Sequence, residues 1–159
     1  MCHQYLKIDL GPKVNFVIGH NGSGKSAILS AITVALGAKA NATNRGRNLS
    51  ALIREGANAA LVTVHITNKG PDAYRHDVYG DKIIVERKIL KDGVGNYHIR
   101  SSSGKIISTK REELTAILDH MVIQVDNQLV ILTQDMAREF LNSSSPNEKY
   151  KVIILISYT

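Results

Sequence analysis

Disulfide scaffolds are excluded first, because the sequence holds one cysteine, Cys2, and a single thiol has no partner within the chain. Histidines stand at positions 3, 20, 65, 76, 98 and 120, and no two share the spacing of a structural zinc site. Three prolines and twelve glycines among 159 residues leave no collagen-like or low-complexity tract. No apolar run approaches the roughly 18 residues of a membrane-spanning helix, and the opening MCHQYLKIDLG lacks the apolar core of a secretory signal. The expectation is one soluble domain inside a cell, with no membrane among its partners. Tryptophan is absent and two phenylalanines and six tyrosines are scattered, which offers no base-stacking motif and argues against sequence-specific reading of a nucleic acid. Positive charge is what the chain has in excess. Twenty Lys and Arg against fourteen Asp and Glu give a net charge of +6, which suits polyanions such as nucleic acid or nucleotide phosphates.

Period and punctuation divide the chain. VNFVIG at 14–19 is short, apolar and β-branched, and predicts a buried strand. After a glycine-rich turn, KSAILSAITVALG places Ile28, Leu29, Ile32 and Leu36 on one helical face, with Gly37 as the stop. A polar, basic loop at 38–48 leads to a short helix in LSALIREG, closed by Gly56. The period then drops to two: Val62, Val64 and Ile66 alternate with Thr63, His65 and Thr67. Further strands are predicted at 82–90, 96–100 and 105–109, joined by short polar turns, which together describe an antiparallel meander. Thr109 and Glu112 form a capping-box pattern before a helix with Leu114, Ile117, Leu118 and Met121 as its apolar stripe. VDNQLVILT at 125–133 reads as a turn and a buried strand, QDMAREFL as a helix, and Ser145 to Glu148 as a second capping box with Pro146 at the first helical position. That last helix runs into VIILISYT, whose residues prefer a strand, so local signals conflict there.

The sharpest feature is GHNGSGKS at 19–26, a full match to the phosphate-binding pattern G-x-x-x-x-G-K-[ST], lying between a predicted strand and an amphipathic helix. Each position has a physical task. Gly19, Gly22 and Gly24 allow backbone conformations in which successive N–H groups, with those of Asn21, Ser23 and Ala27, point at phosphate oxygens. The following helix adds its positive end. Lys25 brings an ammonium to the β and γ phosphates, and the Ser26 hydroxyl is a ligand for Mg²⁺. ATP and Mg²⁺ are therefore the expected cofactors. Hydrolysis needs a carboxylate for the metal and a group that orients water. Neither apolar strand candidate supplies the acid: IIVER at 83–87 falls within a predicted hairpin, and VIILISYT carries none.

Beyond the loop, the residues are similar to one family. The Asn21-Gly22-Ser23 core resembles that of ABC-like ATPases. TNRG at 43–46, EELTAILDHM at 112–121, IQVDN at 123–127 and LTQDMAREFLNSSSPNEKYK at 132–151 resemble the structural maintenance of chromosomes (SMC) proteins, in the branch that pairs with the fifth SMC type in a DNA-repair complex. The resemblance covers nearly all of residues 1–151. It implies an α/β fold of the ABC-ATPase type: the N-terminal lobe of an SMC head with an antiparallel β subdomain. It implies an incomplete head, with residues 152–159 a divergent tail where the coiled-coil arm would start, and with the metal-binding acid and signature motif supplied by another lobe. No LSGG-like signature segment is present in the sequence.

The resemblance also assigns roles. Gln134 becomes the glutamine that reaches Mg²⁺ or the attacking water, and Arg45, or Arg47 beside it, the arginine that approaches the phosphates. Lys39, Arg47, Arg54, Lys110 and Arg111 form a basic surface of the kind through which SMC heads contact DNA phosphates without reading bases. Function by this reading is ATP binding, with hydrolysis dependent on a second lobe and a partner head, in chromosome maintenance and recombinational repair of double-strand breaks in the nucleus. The partners implied are the fifth-type SMC subunit, accessory subunits and duplex DNA. Two other classes are weighed beside it: a non-catalytic module that binds DNA or protein, and a stand-alone P-loop enzyme such as a nucleotide kinase. The meander argues against the last, because such enzymes alternate strands with helices.

Overall fold

The computed structural model describes residues 4–38, 48–92, 95–125, 127, 130–131, 134, 137–138, 142, 145–147 and 150. The chain divides into two units, residues 1–123 and 124–159.

The centre of the first unit is an antiparallel sheet of four strands, β1 (Ala59–Thr67), β2 (Lys82–Leu90), β3 (Gly95–Arg100) and β4 (Ile106–Ser108), in the order of the chain. This is the expected meander, with strand ends shifted by a residue or two. Register assigns its faces. Val62, Val64 and Ile66 lie opposite Arg87, Val85 and Ile83, while Val85 and Arg87 lie opposite Ile99 and Tyr97. These residues share one face of the pleat. On it Ile83, Val85, Ile89 and Ile99 are buried, and the edge strand β1 is half-buried at alternate positions. A register shift at Ile99/Arg100 bends the approach to β4.

Among the described residues of the unit, the α-helices are α1 (Lys25–Ala35), α2 (His76–Tyr79) and α3 (Arg111–His120). Helix α1 packs on β1 and β2, and its Val34 joins Leu52 and Ile89 in a core cluster with Leu49 and Ile53 beside it. The short helix expected at 49–56 is a 3₁₀ turn, Leu49–Leu52, followed by Gly56 at φ +80°. Helix α2 has no counterpart in the sequence reading. It is a single turn, and the segment before it is shaped by buried Asn68. That side chain donates to the carbonyls of Tyr74 and Gly80 and accepts from the Tyr74 N–H. In α3 the apolar stripe is as predicted at Leu114, Ile117 and Leu118. Its cap is not: Lys110 is the N-cap residue, and the Lys110 N–H donates to Ser108 Oγ at 3.1 Å.

Two predictions on the apolar pattern are corrected. VNFVIG is not a strand in the structure, and Phe16 and Ile18 are 85% and 92% exposed. An extended segment becomes a strand only by hydrogen bonding to another, and no described segment pairs with it. At its start, Asn15 closes a small loop by accepting from the Gly11 N–H and donating to the Gly11 carbonyl. On α1 the buried face is Ala27, Ser30, Thr33, Val34 and Ala35, not the predicted Ile28–Leu29–Ile32 stripe; of the predicted four, only Leu36 is buried. Small side chains let the helix approach the sheet closely, while Ser30 and Thr33 return their hydroxyls to the carbonyls of Ser26 and Leu29.

In the second unit, Val130 and Ile131 lie in a turn and a bend, both N–H groups donating to the Asn127 carbonyl, where a strand was expected. The rest of LVILT lies outside the described residues. Gln134, Ala137 and Arg138 are helical as predicted, and Pro146 and Asn147 are helical directly after Ser145.

Candidate functional site

The glycine loop and the first turn of α1 form the site. His20 accepts from the Ser23 N–H at 3.2 Å, which makes a turn of residues 20–23. Gly22 and Gly24 sit at φ +84° and +94°, a region that any side chain would strain. Gly24 is the N-cap, with its carbonyl accepting from Ala27 and Ile28 at 2.9 and 3.3 Å. The Lys25 Nζ donates to the carbonyls of Gly19 and His20 at 2.6 and 2.8 Å. An ammonium is thus held across the mouth of the loop. A side chain at Gly19 would meet Ser23 Oγ at 2.6 Å, so this glycine is required for close approach rather than for its φ. Asn21, Gly22, Ser23 and Ser26 are exposed, whereas Ala27 turns inward.

What the loop offers an anion is a set of backbone donors, the positive end of an 11-residue helix and the Lys25 ammonium. Mg²⁺ fits only in part: Ser26 presents a hydroxyl, and among the described residues no cluster of three His, Cys, Asp or Glu could hold a metal.

The other predicted site residues are placed unevenly. Gln134 is exposed and helical in the second unit. Arg45, Arg47 and Lys39 lie outside the described residues. Arg54 and Lys110 are exposed. Arg111 is also exposed, yet one end of its guanidinium is engaged, with Nη2 donating to the Gly37 carbonyl at 3.1 Å.

Sequence reasoning missed two groups. Arg87 is buried on the inner face of β2, where Nη1 donates to the Val34 carbonyl and the guanidinium lies 4.7 Å over the Tyr97 ring. Burial draws its pKa down against an upward pull from Tyr97, and Arg111 nearby adds a smaller downward one. A signal existed: Ile83, Val85, Arg87 and Ile89 share one phase of the strand alternation, which puts a charge on the inward side. The second group is Glu113, which accepts from Tyr79 at 2.8 Å, Arg75 at 3.2 Å and Tyr74 at 3.3 Å. Burial, followed by this carboxylate, pushes the Tyr79 hydroxyl well above the usual tyrosine range. On the outer face of the sheet, Glu86 of the IIVER segment pairs with His98 at 2.9 Å and Arg100 at 3.4 Å. It is committed within the meander, as its place in a hairpin predicted.

A glycine loop closed by a lysine at the start of a helix, with an antiparallel sheet beside it, defines a P-loop nucleotide-binding fold. The family model described as an AAA domain matches residues 1–154. The chain belongs to this family, and within it to the structural maintenance of chromosomes proteins. It is 54% identical over 154 residues to the structural maintenance of chromosomes protein 6 of Schizosaccharomyces pombe, and 47% identical over 152 residues to that of Homo sapiens. These alignments cover 97% and 95% of this chain but only 14% of each relative, so the chain spans about one seventh of their length. Among solved structures it superposes with a TM-score of 0.74 and 27% identity on a chain described under ATP-driven dimerization and DNA-stimulated activation of SMC ATPases. That match covers 94% of this chain and 87% of the other. An Smc head bound to the C-winged helix domain of ScpA gives a TM-score of 0.61 at 27% identity, over 79% of this chain and 37% of that one.

Proposed function

We propose that this chain is the N-terminal, ATP-binding part of an SMC head, corresponding to residues 1–151, with a divergent tail at 152–159. Its phosphate site is the loop amides of Gly19 to Ala27 with Lys25. The observation that supports this most is the Lys25 ammonium poised on two loop carbonyls at the N-terminus of α1. A triphosphate entering the loop exchanges those neutral acceptors for charged oxygens, which bind an ammonium more strongly. Mg²⁺, when bound with the nucleotide, neutralises phosphate charge, and Ser26 is the residue here that would hold it, with Gln134 as a second neutral ligand. Arg45 or Arg47 supplies the guanidinium that neutralises phosphate charge.

Turnover needs a carboxylate and an opposing clamp that this chain does not carry, so hydrolysis requires a second lobe and a partner head, the fifth-type SMC subunit with its accessory subunits. Lys39, Arg47, Arg54, Lys110 and Arg111 contact duplex DNA through phosphates, and the setting is chromosome maintenance and recombinational repair in the nucleus. Calorimetric titration with Mg·ATP tests the base of this reading. Heat of binding is expected for the native chain and none for Lys25→Ala; a silent native chain overturns it. Steady-state ATP hydrolysis by the chain alone, lost in the same variant, would overturn the requirement for a second lobe.

The alternative, a non-catalytic module derived from such a head, is favoured by the exposure of Arg54, Lys110 and Arg111. It requires duplex DNA affinity that is indifferent to ATP and falls steeply with salt.

A further inference from the structure

We propose that Arg87 and Arg111 are positioning residues for the phosphate-binding end of α1, acting on Lys25 and Ser26 through the helix itself. The nucleotide part of this proposal rests on the ATP reading above; the helix part stands without it. Both guanidiniums meet the opposite end of that helix. Arg87, 8% exposed, donates from β2 to the carbonyl of Val34, and Arg111 donates from α3 to the carbonyl of Gly37 at 3.1 Å. These carbonyls are three residues apart, at the end where a helix leaves acceptors and its dipole is negative. The same end is closed by backbone bonds from Gly37 to Val34 and from Ala38 to Thr33, with Gly37 at φ +104°. Donors arriving from two different elements fix the helix end both along its axis and around it. Eleven residues at 1.5 Å each make a rod of about 16 Å. A displacement at Val34 therefore reappears at Lys25 and Ser26.

The chemistry of Arg87 points the same way. Among the described residues its Nε finds no acceptor, and the Tyr97 hydroxyl opposite finds no partner. Its guanidinium faces a carbonyl and an aromatic ring rather than a carboxylate. A buried cation of this kind is generally less favourable to stability than an apolar side chain of the same size. Stability alone therefore gives no reason for a guanidinium at this place. What it adds is a directional donor at the base of the helix that carries the loop.

Arg87→Met keeps the size of the side chain and removes its donors. Amide hydrogen exchange at Ile28, Leu29 and Ser30 is followed in the nucleotide-free chain, with thermal unfolding and Mg·ATP calorimetry alongside. The midpoint Tm is expected to hold or rise, while first-turn exchange quickens roughly tenfold and ATP affinity falls by a similar factor, a coupling of ordinary size between two sites. Arg111→Gln, at an exposed position, moves both readouts the same way by a smaller factor. First-turn exchange unchanged in both variants overturns the proposal. So does faster exchange spread evenly over α1, β2 and β3, because that marks general loosening. Should Arg87→Met fail to fold, Arg111→Gln decides by the same criterion. A native chain that takes up no ATP defeats the nucleotide reading and leaves the exchange result to judge the positioning role.

Discussion

The meander and the stretch that leads into the glycine loop carry similar residues and end differently. KIIVERKIL in β2 and VNFVIG at 14–19 are both short and both hold β-branched apolar residues. In the first, Ile83 and Val85 are 0% exposed, whereas in the second Val14, Phe16, Val17 and Ile18 are all exposed. Beyond the charges that β2 also carries, what differs is the partner. Each strand of the meander pairs with its neighbour in the chain, β2 to β4 through short connections and β1 to β2 through the segment that holds α2, so its backbone bonds and its buried face are completed within the meander. Residues 14–19 pair with no described segment. Hydrophobicity therefore states that a segment prefers burial, and a neighbour decides whether the preference is met.

That contrast can be broken by substitution. Ile83→Ala removes a fully buried side chain opposite Ile66 and is expected to cost about 2–4 kcal/mol in urea unfolding, within the usual range for such truncations. Ile18→Ser, at a position 92% exposed, is expected to change stability by no more than about 0.5 kcal/mol while reducing self-association in gel filtration. Equal losses in the two variants would show that 14–19 is buried in solution and would erase the distinction.

A loss of about 1–3 kcal/mol is expected for Glu113→Ala, because Tyr79 and Tyr74 would be left without their shared acceptor. Glu113→Gln, which keeps an oxygen, should recover part of it, and an equal loss in both would place the effect in the charge of the carboxylate. Gly37→Ala sharpens the comparison from the helix side, since a side chain at φ +104° is strained, and about 1 kcal/mol is expected by thermal unfolding. No loss there would mean that the end of α1 is not held as described.

The smallest effect is a pH dependence. The hydrogen bond from His98, and then Arg100, hold the Glu86 carboxyl below its ordinary value against the opposing pull of burial. A depressed folded-state pKa contributes stability that is present above the unfolded value, about 4.3 for glutamate, and lost as pH falls through the folded one. Stability should therefore decline from about pH 5 downward, and His98→Gln should flatten that decline. An unchanged acid limb in His98→Gln would remove the pair from the account.

How much was legible in the sequence depends on whether the deciding partner lay nearby. The four strands were readable because alternation and glycine turns operate over a few residues, and so was the loop, since its glycines and lysine are set by local geometry. The extent of α1 was also readable, with Gly37 as its stop, but not its buried face. Ile28, Leu29 and Ile32 form the more hydrophobic stripe; the sheet takes the side of Ala27, Ser30 and Thr33, where small residues allow close approach. The cap of α3 was assigned to Thr109, whereas the N-cap residue is Lys110, one residue later, with no side-chain capping bond. Arg87 was overlooked because its acceptor, Val34, lies 53 residues away.

The sequence by itself determined the local chemistry of this protein: a loop whose glycines and lysine can receive phosphate, a helix behind it and strands that fold back on their neighbours. Tertiary structure alone decided which face of that helix is buried, which arginines meet its far end and which apolar residues remain outside. Conformational preference acts between residues close in the chain. Burial and hydrogen bonding across elements depend on surfaces that exist only once the chain has folded.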